Sequence, residues 1–103
     1  MNKRKGINEL CNLLSRSLRH RIGSILFEDK FYANKYAKDS QILFNESVKV
    51  FNKYNFNMND KSEIKQKLTK KLILELTKKD FIPIEKFKIM GEQIKNILDE
   101  LFK

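Results

Sequence analysis

Apolar residues recur every three or four positions along almost the whole chain, which is the spacing of one face of an α-helix. No segment shows the two-residue alternation of a half-buried β-strand. The 103 residues include only three glycines and one proline, and an all-β fold needs more turn residues than this. The pattern therefore predicts an all-α fold, a small bundle of about four helices that forms a single domain over residues 1–103.

The first half of the chain contains two amphipathic segments, at about 7–27 and about 30–54. They are separated by three residues, none of which breaks a helix: Glu28, Asp29 and Lys30. The sequence thus leaves open whether 8–54 is one long bent helix or two helices in a tight hairpin. Small residues on the apolar face of the second segment predict that another helix approaches it closely; they are Ala33, Ala37 and Ser40.

The second half predicts a third helix at about 61–79 and a fourth at about 84–102, arranged as an antiparallel hairpin. Asp60 is the predicted N-cap of the third helix, in a capping box with Glu63. Pro83 suits the first position of the fourth helix, because its missing N–H has no partner there in any case. Gly91 lies on the apolar stripe of that helix, so we expect a neighbouring helix to pack against it.

Most apolar residues fall on a single stripe of their helix and are predicted to form the core. Ile25 is assigned to the core stripe of the first helix, and Ile73 to that of the third. Several apolar residues lie off these stripes and indicate a second packing surface, as in a homo-oligomer; they are Phe27, Phe31, Ile42, Leu74 and Ile89.

The basic residues are distributed unevenly. The chain has 22 Lys and Arg against 13 Asp and Glu, a net charge of +9, and all four arginines lie in the first 21 residues. Residues 1–6 are expected to form a basic N-terminal arm. Guanidinium groups are permanently charged and can bind phosphate or carboxylate through two hydrogen bonds. The predicted nucleic-acid-binding residues belong to the first and third helices: Arg16, Arg19, His20, Arg21, Lys67, Lys70, Lys71 and Lys78.

Two functions fit this charge pattern. The first is a non-enzymatic protein that binds DNA or RNA through its phosphates, without regard to base sequence. In this interpretation Phe44, Phe51 and Tyr54 belong to the core and do not stack on bases. The alternative is a protein–protein interaction module or homodimer whose basic surface docks an acidic partner.

Several classes of chemistry lack the residues they need. One Cys and one His are too few for a zinc site, and Cys11 on an apolar stripe is predicted to be a packed core thiol. Paired carboxylates, a glycine-rich phosphate loop and a dinucleotide fingerprint are not evident, so we expect neither catalysis nor a cofactor. No apolar run is long enough to cross a membrane, and a single Cys cannot form an internal disulfide. The expected location is the cytoplasm.

Overall fold

The described part of the chain forms four α-helices. A computed structural model describes residues 3–26, 28–78 and 87–103, with the backbone alone at Lys78 and Phe87. The helices are α1 (Lys3–Leu26), α2 (Lys30–Lys53), α3 (Met58–Lys78) and α4 (Phe87–Leu101). Within these ranges there is no β-strand, so the predicted all-α fold is confirmed. The predicted position of Pro83 and the exposure predicted for Phe27 fall outside the described residues.

α1 and α2 are separate helices, so the single long bent helix over 8–54 is wrong. Asp29 is the N-cap of α2, and its carboxylate accepts a hydrogen bond of 2.9 Å from the Phe31 N–H. This cap satisfies one of the free N–H groups of the first turn and fixes where α2 begins. The sequence provides the cap without any glycine or proline, which is why the break is hard to recognise from composition.

The two helices run antiparallel and in close contact. Gly6 near the start of α1 lies against the ring of Tyr54, the residue that ends α2. Further along α1, the buried side chains of Ser17 and Ser40 hydrogen-bond each other's backbone carbonyl oxygens. The predicted close approach is therefore confirmed at Ser40, whereas Ala37 is exposed.

α3 begins three residues earlier than the sequence pattern predicts. Asn57 is its N-cap, because its side chain accepts the Asp60 N–H and the Asp60 carboxylate accepts the Asn57 N–H, both at 2.9 Å. This is a capping box in which Asp60 takes the third helical position instead of the first cap. The predicted capping box of Asp60 with Glu63 is wrong. Asn caps a helix as well as Asp does, and Asn57 lies three residues before the acid Asp60, so the same pattern occurs one turn earlier.

α1 contacts each of the other three helices and lies at the centre of the packing. α2 covers one side of α1 and contributes partly buried side chains, such as Phe44 and Phe51. The fully packed core consists of residues from α1, α3 and α4: Ile7, Leu10, Cys11, Leu14, Leu18, Ile22, Ile64, Leu68, Leu72, Leu76, Met90, Ile94, Ile97, Leu98 and Leu101.

Four residues depart from the predicted packing. Ile25 is 51% exposed, so its predicted place in the core is wrong. Ile73 is exposed because Leu72 and Leu76 take the core positions of that turn. Gly91 is exposed, and no described atom lies within 4 Å of where its Cβ would be, so its predicted packing role is wrong. Conversely, Ile89 is partly buried and packs against the core.

Candidate nucleic-acid interface

The first basic residues of the chain are helical. Lys3, Arg4 and Lys5, which belong to the expected basic N-terminal arm, form the first turn of α1. The Lys3 ammonium lies 3.0 Å from the Asp60 carboxylate and so joins α1 to the first turn of α3. The Asn57 N–H and, second, Lys3 stabilise that carboxylate and lower the pKa of Asp60 below its ordinary value. Lys3 is thereby engaged in holding two helices together.

α1 and α3 lie side by side and run in the same direction. Three contacts follow one another along both helices: Lys3 with Asp60, the Cys11 thiol with the Ile64 carbonyl oxygen at 3.7 Å, and Arg19 with Glu75. Arg16 lies between the second and third of these contacts on α1, and Lys71 lies between them on α3. The two cations therefore stand at corresponding levels of neighbouring helices.

Arg19 forms contacts with other residues of the protein. Its Nη1 lies 3.1 Å from Glu75 Oε2 on α3, and its Nη2 lies 3.4 Å from His20 Nε2. Only 21% of its side chain is exposed. A phosphate that bound Arg19 would have to share the guanidinium with Glu75.

Arg21 holds three helices together. Its Nη1 lies 3.6 Å from Glu100 Oε1 on α4, and its guanidinium carbon lies 5.9 Å from the ring centre of Phe44 on α2. The side chain is 19% exposed, with its stem in the packed region and its head against an acid. These contacts give Arg21 a structural role and leave little of it for a ligand.

Arg16 and His20 line a cleft between α1 and α2. The cleft has a volume of about 240 Å³ and is completed by three residues of α2: Asp39, Ile42 and Leu43. Arg16 is exposed and forms no ion pair with any described acid. The position of His20 on the polar face of α1 suggests an exposed side chain, but His20 is half-buried, with its ring centre 5.4 Å from that of Tyr36. The wheel pattern missed this because α2 covers one edge of the polar face of α1.

The lysines of α3 differ in their surroundings. Lys67 lies 3.5 Å from Glu63 one turn earlier, whereas Lys70 and Lys71 pair with no acid in the described part of the chain. Lys70 is exposed and Lys71 is half-buried. The Lys78 side chain lies outside the described residues. Among the predicted α3 cations whose side chains are described, Lys70 and Lys71 are therefore the two that have no acid partner.

A second groove, on α3, was not predicted. It has a volume of about 490 Å³, includes Lys70, and is lined besides by four residues absent from the predicted site: Ser62, Lys65, Gln66 and Thr69. They recur at intervals of three and four residues, so they share one helical face without any acid among them. That spacing of hydrogen-bond donors was the signal available in the sequence.

Cys11 is a core thiol, as predicted. It is fully buried, and burial raises its pKa to about 11, although Lys71 and Lys67 act in the opposite direction. A thiol with this pKa is protonated at neutral pH and is a poor nucleophile. Among the residues whose side chains are described, no three His, Cys, Asp or Glu form a group that could hold a metal ion.

Comparison of the chain with protein-family models, with curated proteins and with solved structures finds no match to any of them. None of the four helices, over the residues described, has the length and apolar character needed to span a bilayer. The class defined by the fold is that of a small four-helix, all-α protein with a strong excess of cations.

Proposed function

We propose that this protein binds nucleic acid through phosphate contacts made by α1 and α3, without base-sequence selectivity and without catalysing a reaction. One observation carries the proposal: Arg16 and Lys71 stand at corresponding levels of adjacent helices, and neither is neutralised by an acid among the described residues. The net charge of +9 attracts a polyanion to the protein, and each phosphate contact gains free energy by releasing counterions.

The predicted cations contribute unequally in this proposal. Arg16, Lys70 and Lys71 make the main phosphate contacts because they are free of intramolecular ion pairs in the described structure. Arg19, His20 and Lys67 are secondary, since each already contacts another residue of the protein. Arg21 is a structural residue. In this proposal the protein acts as one cytoplasmic domain without a cofactor. α3 and α4 form an antiparallel hairpin, which is supported by the contact between Lys61 near the start of α3 and Asp99 near the end of α4.

The test is the salt dependence of binding. Fluorescence anisotropy with generic duplex DNA and RNA, at several salt concentrations, gives the slope of log affinity against log salt. The double variant Arg16→Ala/Lys71→Ala should reduce this slope by about two units, since each lost contact with a duplex contributes about 0.9. The charge-matched control is Lys88→Ala/Lys95→Ala, which removes two exposed lysines from α4. It should leave the slope nearly unchanged.

Two results would contradict the proposal. If the salt slope fell equally in the two double variants, overall charge, and not Arg16 and Lys71 in particular, would determine binding. A wild-type protein that binds neither duplex at low salt would show that it is not a nucleic-acid-binding protein.

A second candidate function is a protein–protein interaction module or homodimer that docks an acidic partner. Exposed apolar side chains near the turn between α1 and α2 favour it: Phe31 is 72% exposed, and Tyr32 and Ile25 are each 51% exposed. Ile42 and Leu74 are also exposed, as predicted. Light scattering of the wild type and of Phe31→Ser tests the homodimer. If this function is right, the wild type is a dimer and the substitution weakens its association.

A further inference from the structure

The cleft between α1 and α2 contains groups that phosphate binding does not require. Arg16 and His20 line it from α1, and Asp39, Ile42 and Leu43 line it from α2. Its volume of about 240 Å³ lies below the roughly 300–1,000 Å³ of pockets for drug-sized ligands. A single planar ring system suits this space better than a whole cofactor does.

The polar groups of the cleft are complementary in charge and available. Arg16 and Asp39 form no ion pair with each other, and neither has another hydrogen-bond or ion-pair partner in the described structure. An ionised carboxylate offers two acceptor oxygens, and a guanidinium offers only donors. Ile42, which also lines the cleft, exposes 52% of its surface, and the His20 ring centre lies 5.4 Å from that of Tyr36. The cleft thus combines an acceptor, a cation and flat or apolar walls.

We propose that this cleft takes one unpaired base of a single-stranded nucleic acid and that Asp39 selects guanine; the inference rests on the function proposed above. The Watson–Crick edge of guanine carries two adjacent donors, the N1–H and the 2-amino group, which match the two oxygens of a carboxylate. Adenine and cytosine present a single amino donor on that edge, and uracil presents a single imino donor. Arg16 binds the neighbouring phosphate, while His20 and Ile42 contact the faces of the base.

The proposed contact between Asp39 and guanine requires a single strand. In a duplex the Watson–Crick edge is occupied by the partner base, so Asp39 cannot reach it. Single-stranded bases can turn outwards and stack on side chains such as histidine. The protein therefore holds any nucleic acid by its phosphates and adds base selectivity only where a guanine is unpaired.

The experiment uses oligouridine strands that differ at one central position. Anisotropy titrations compare a guanosine, an inosine and an adenosine at that position. The wild type should bind the guanosine strand about 5- to 100-fold more tightly than the adenosine strand, the range expected for a two-bond contact to a base edge. Inosine lacks the 2-amino group and should fall between them.

Two variants assign the selectivity to Asp39. Asp39→Asn replaces one acceptor oxygen with a donor, so the ratio between the guanosine and adenosine strands should fall to about one. Glu92→Gln removes an equal charge from an exposed position on α4 and should keep the wild-type ratio. Because the readout is a ratio between strands, a general gain in affinity on losing a negative charge does not affect it.

The possible outcomes separate this inference from the function on which it rests. Equal binding of the guanosine and adenosine strands by the wild type would overturn the inference and leave the phosphate-binding proposal intact. A preference that survives in Asp39→Asn would also overturn it. If the wild type binds neither the single strands nor duplexes at low salt, both proposals are wrong.

Discussion

The glycines at positions 6 and 91 lie in helices but in opposite surroundings. A Cβ on Gly6 would lie 2.8 Å from three ring atoms of Tyr54, whereas a Cβ on Gly91 would meet no described atom within 4 Å. Gly6 therefore allows the end of α2 to approach α1, and Gly91 makes no comparable contact. An exposed glycine inside a helix costs about 1 kcal/mol relative to alanine.

The same substitution should accordingly have opposite effects at the two positions. Gly6→Ala gains helix propensity but forces the Tyr54 ring to move, and overpacking typically costs about 1–3 kcal/mol. We expect a net loss of about 1 kcal/mol in the free energy of unfolding, and for Gly91→Ala a gain of up to about 1 kcal/mol. Urea denaturation measures both, and a stabilised Gly6→Ala variant would contradict the packing described here.

Cys11 should be inert in the folded protein and should make stability depend on alkaline pH. Its pKa is raised from 9.0 to about 11, so the folded state holds the proton more strongly than the unfolded state does. This contribution, about 3 kcal/mol, is fully present below pH 9 and is lost as the pH rises towards 11. Cys11→Ala should remove this loss of stability at alkaline pH, which chemical denaturation over that pH range measures. Rapid reaction of the native thiol with a disulfide reagent at neutral pH would refute the burial.

At the scale of elements, a hydrogen-bonded serine pair joins α1 to α2. The Ser17 hydroxyl donates to the Ser40 carbonyl oxygen at 2.8 Å, and the Ser40 hydroxyl donates to the Ser17 carbonyl oxygen at 2.7 Å. The two hydroxyl oxygens are 3.1 Å apart and both residues are buried. Serine is small enough for close helix approach, and each hydroxyl supplies one donor to the neighbouring backbone.

Removing this pair should weaken the contact between α1 and α2. Ser17→Ala and Ser40→Ala should each cost about 1 kcal/mol, the usual net value of a hydrogen bond. The double variant should cost less than the sum, because the hydroxyls contact each other as well as the carbonyl groups. Ser24→Ala is the control, since that hydroxyl donates to Arg21 within α1. Strict additivity in thermal unfolding would argue that the two bonds are independent.

The sequence predicts helices well because each buries a periodic apolar face, and less well where tertiary contacts decide the outcome. The positions of Leu10, Leu68 and Ile94 in the core follow from spacing alone. The start of α3 does not, because Asn57 and Asp60 both suit a cap and only the hydrogen bonds choose between them. Gly91 was wrongly assigned to the buried face of α4, because the apolar stripe predicted for this helix is wider than the face that it buries.

At the scale of the whole molecule, the sequence does not predict which cations of the candidate site form ion pairs within the protein. Arg19 and Arg21 meet Glu75 and Glu100, which lie 56 and 79 positions later in the chain. These pairs depend on how four helices align, and no local pattern encodes that alignment. The density of arginine identified the segment, but only the packing distinguishes Arg16, which faces a cleft, from its two neighbours.

The three arginines should therefore differ in what each contributes to folding. Arg16→Ala should change the free energy of unfolding by less than about 0.5 kcal/mol, as expected at an exposed position. Arg19→Ala loses a partly exposed ion pair, worth about 0.2–1 kcal/mol. Arg21→Ala should cost the most, about 1–2 kcal/mol, because it removes the ion pair with Glu100, the contact with Phe44 and the packing of its stem.

Arg21→Met separates packing from charge in this series. It keeps an unbranched apolar stem beside Phe44 but cannot pair with Glu100, so its stability should fall between those of Arg21→Ala and the wild type. Thermal unfolding of the four variants gives the ranking directly. If Arg16→Ala were the most destabilised variant, Arg16 would stabilise the fold and would not be available to a phosphate ligand. If Arg21→Ala were as stable as the wild type, Arg21 would be free to act as a ligand like Arg16.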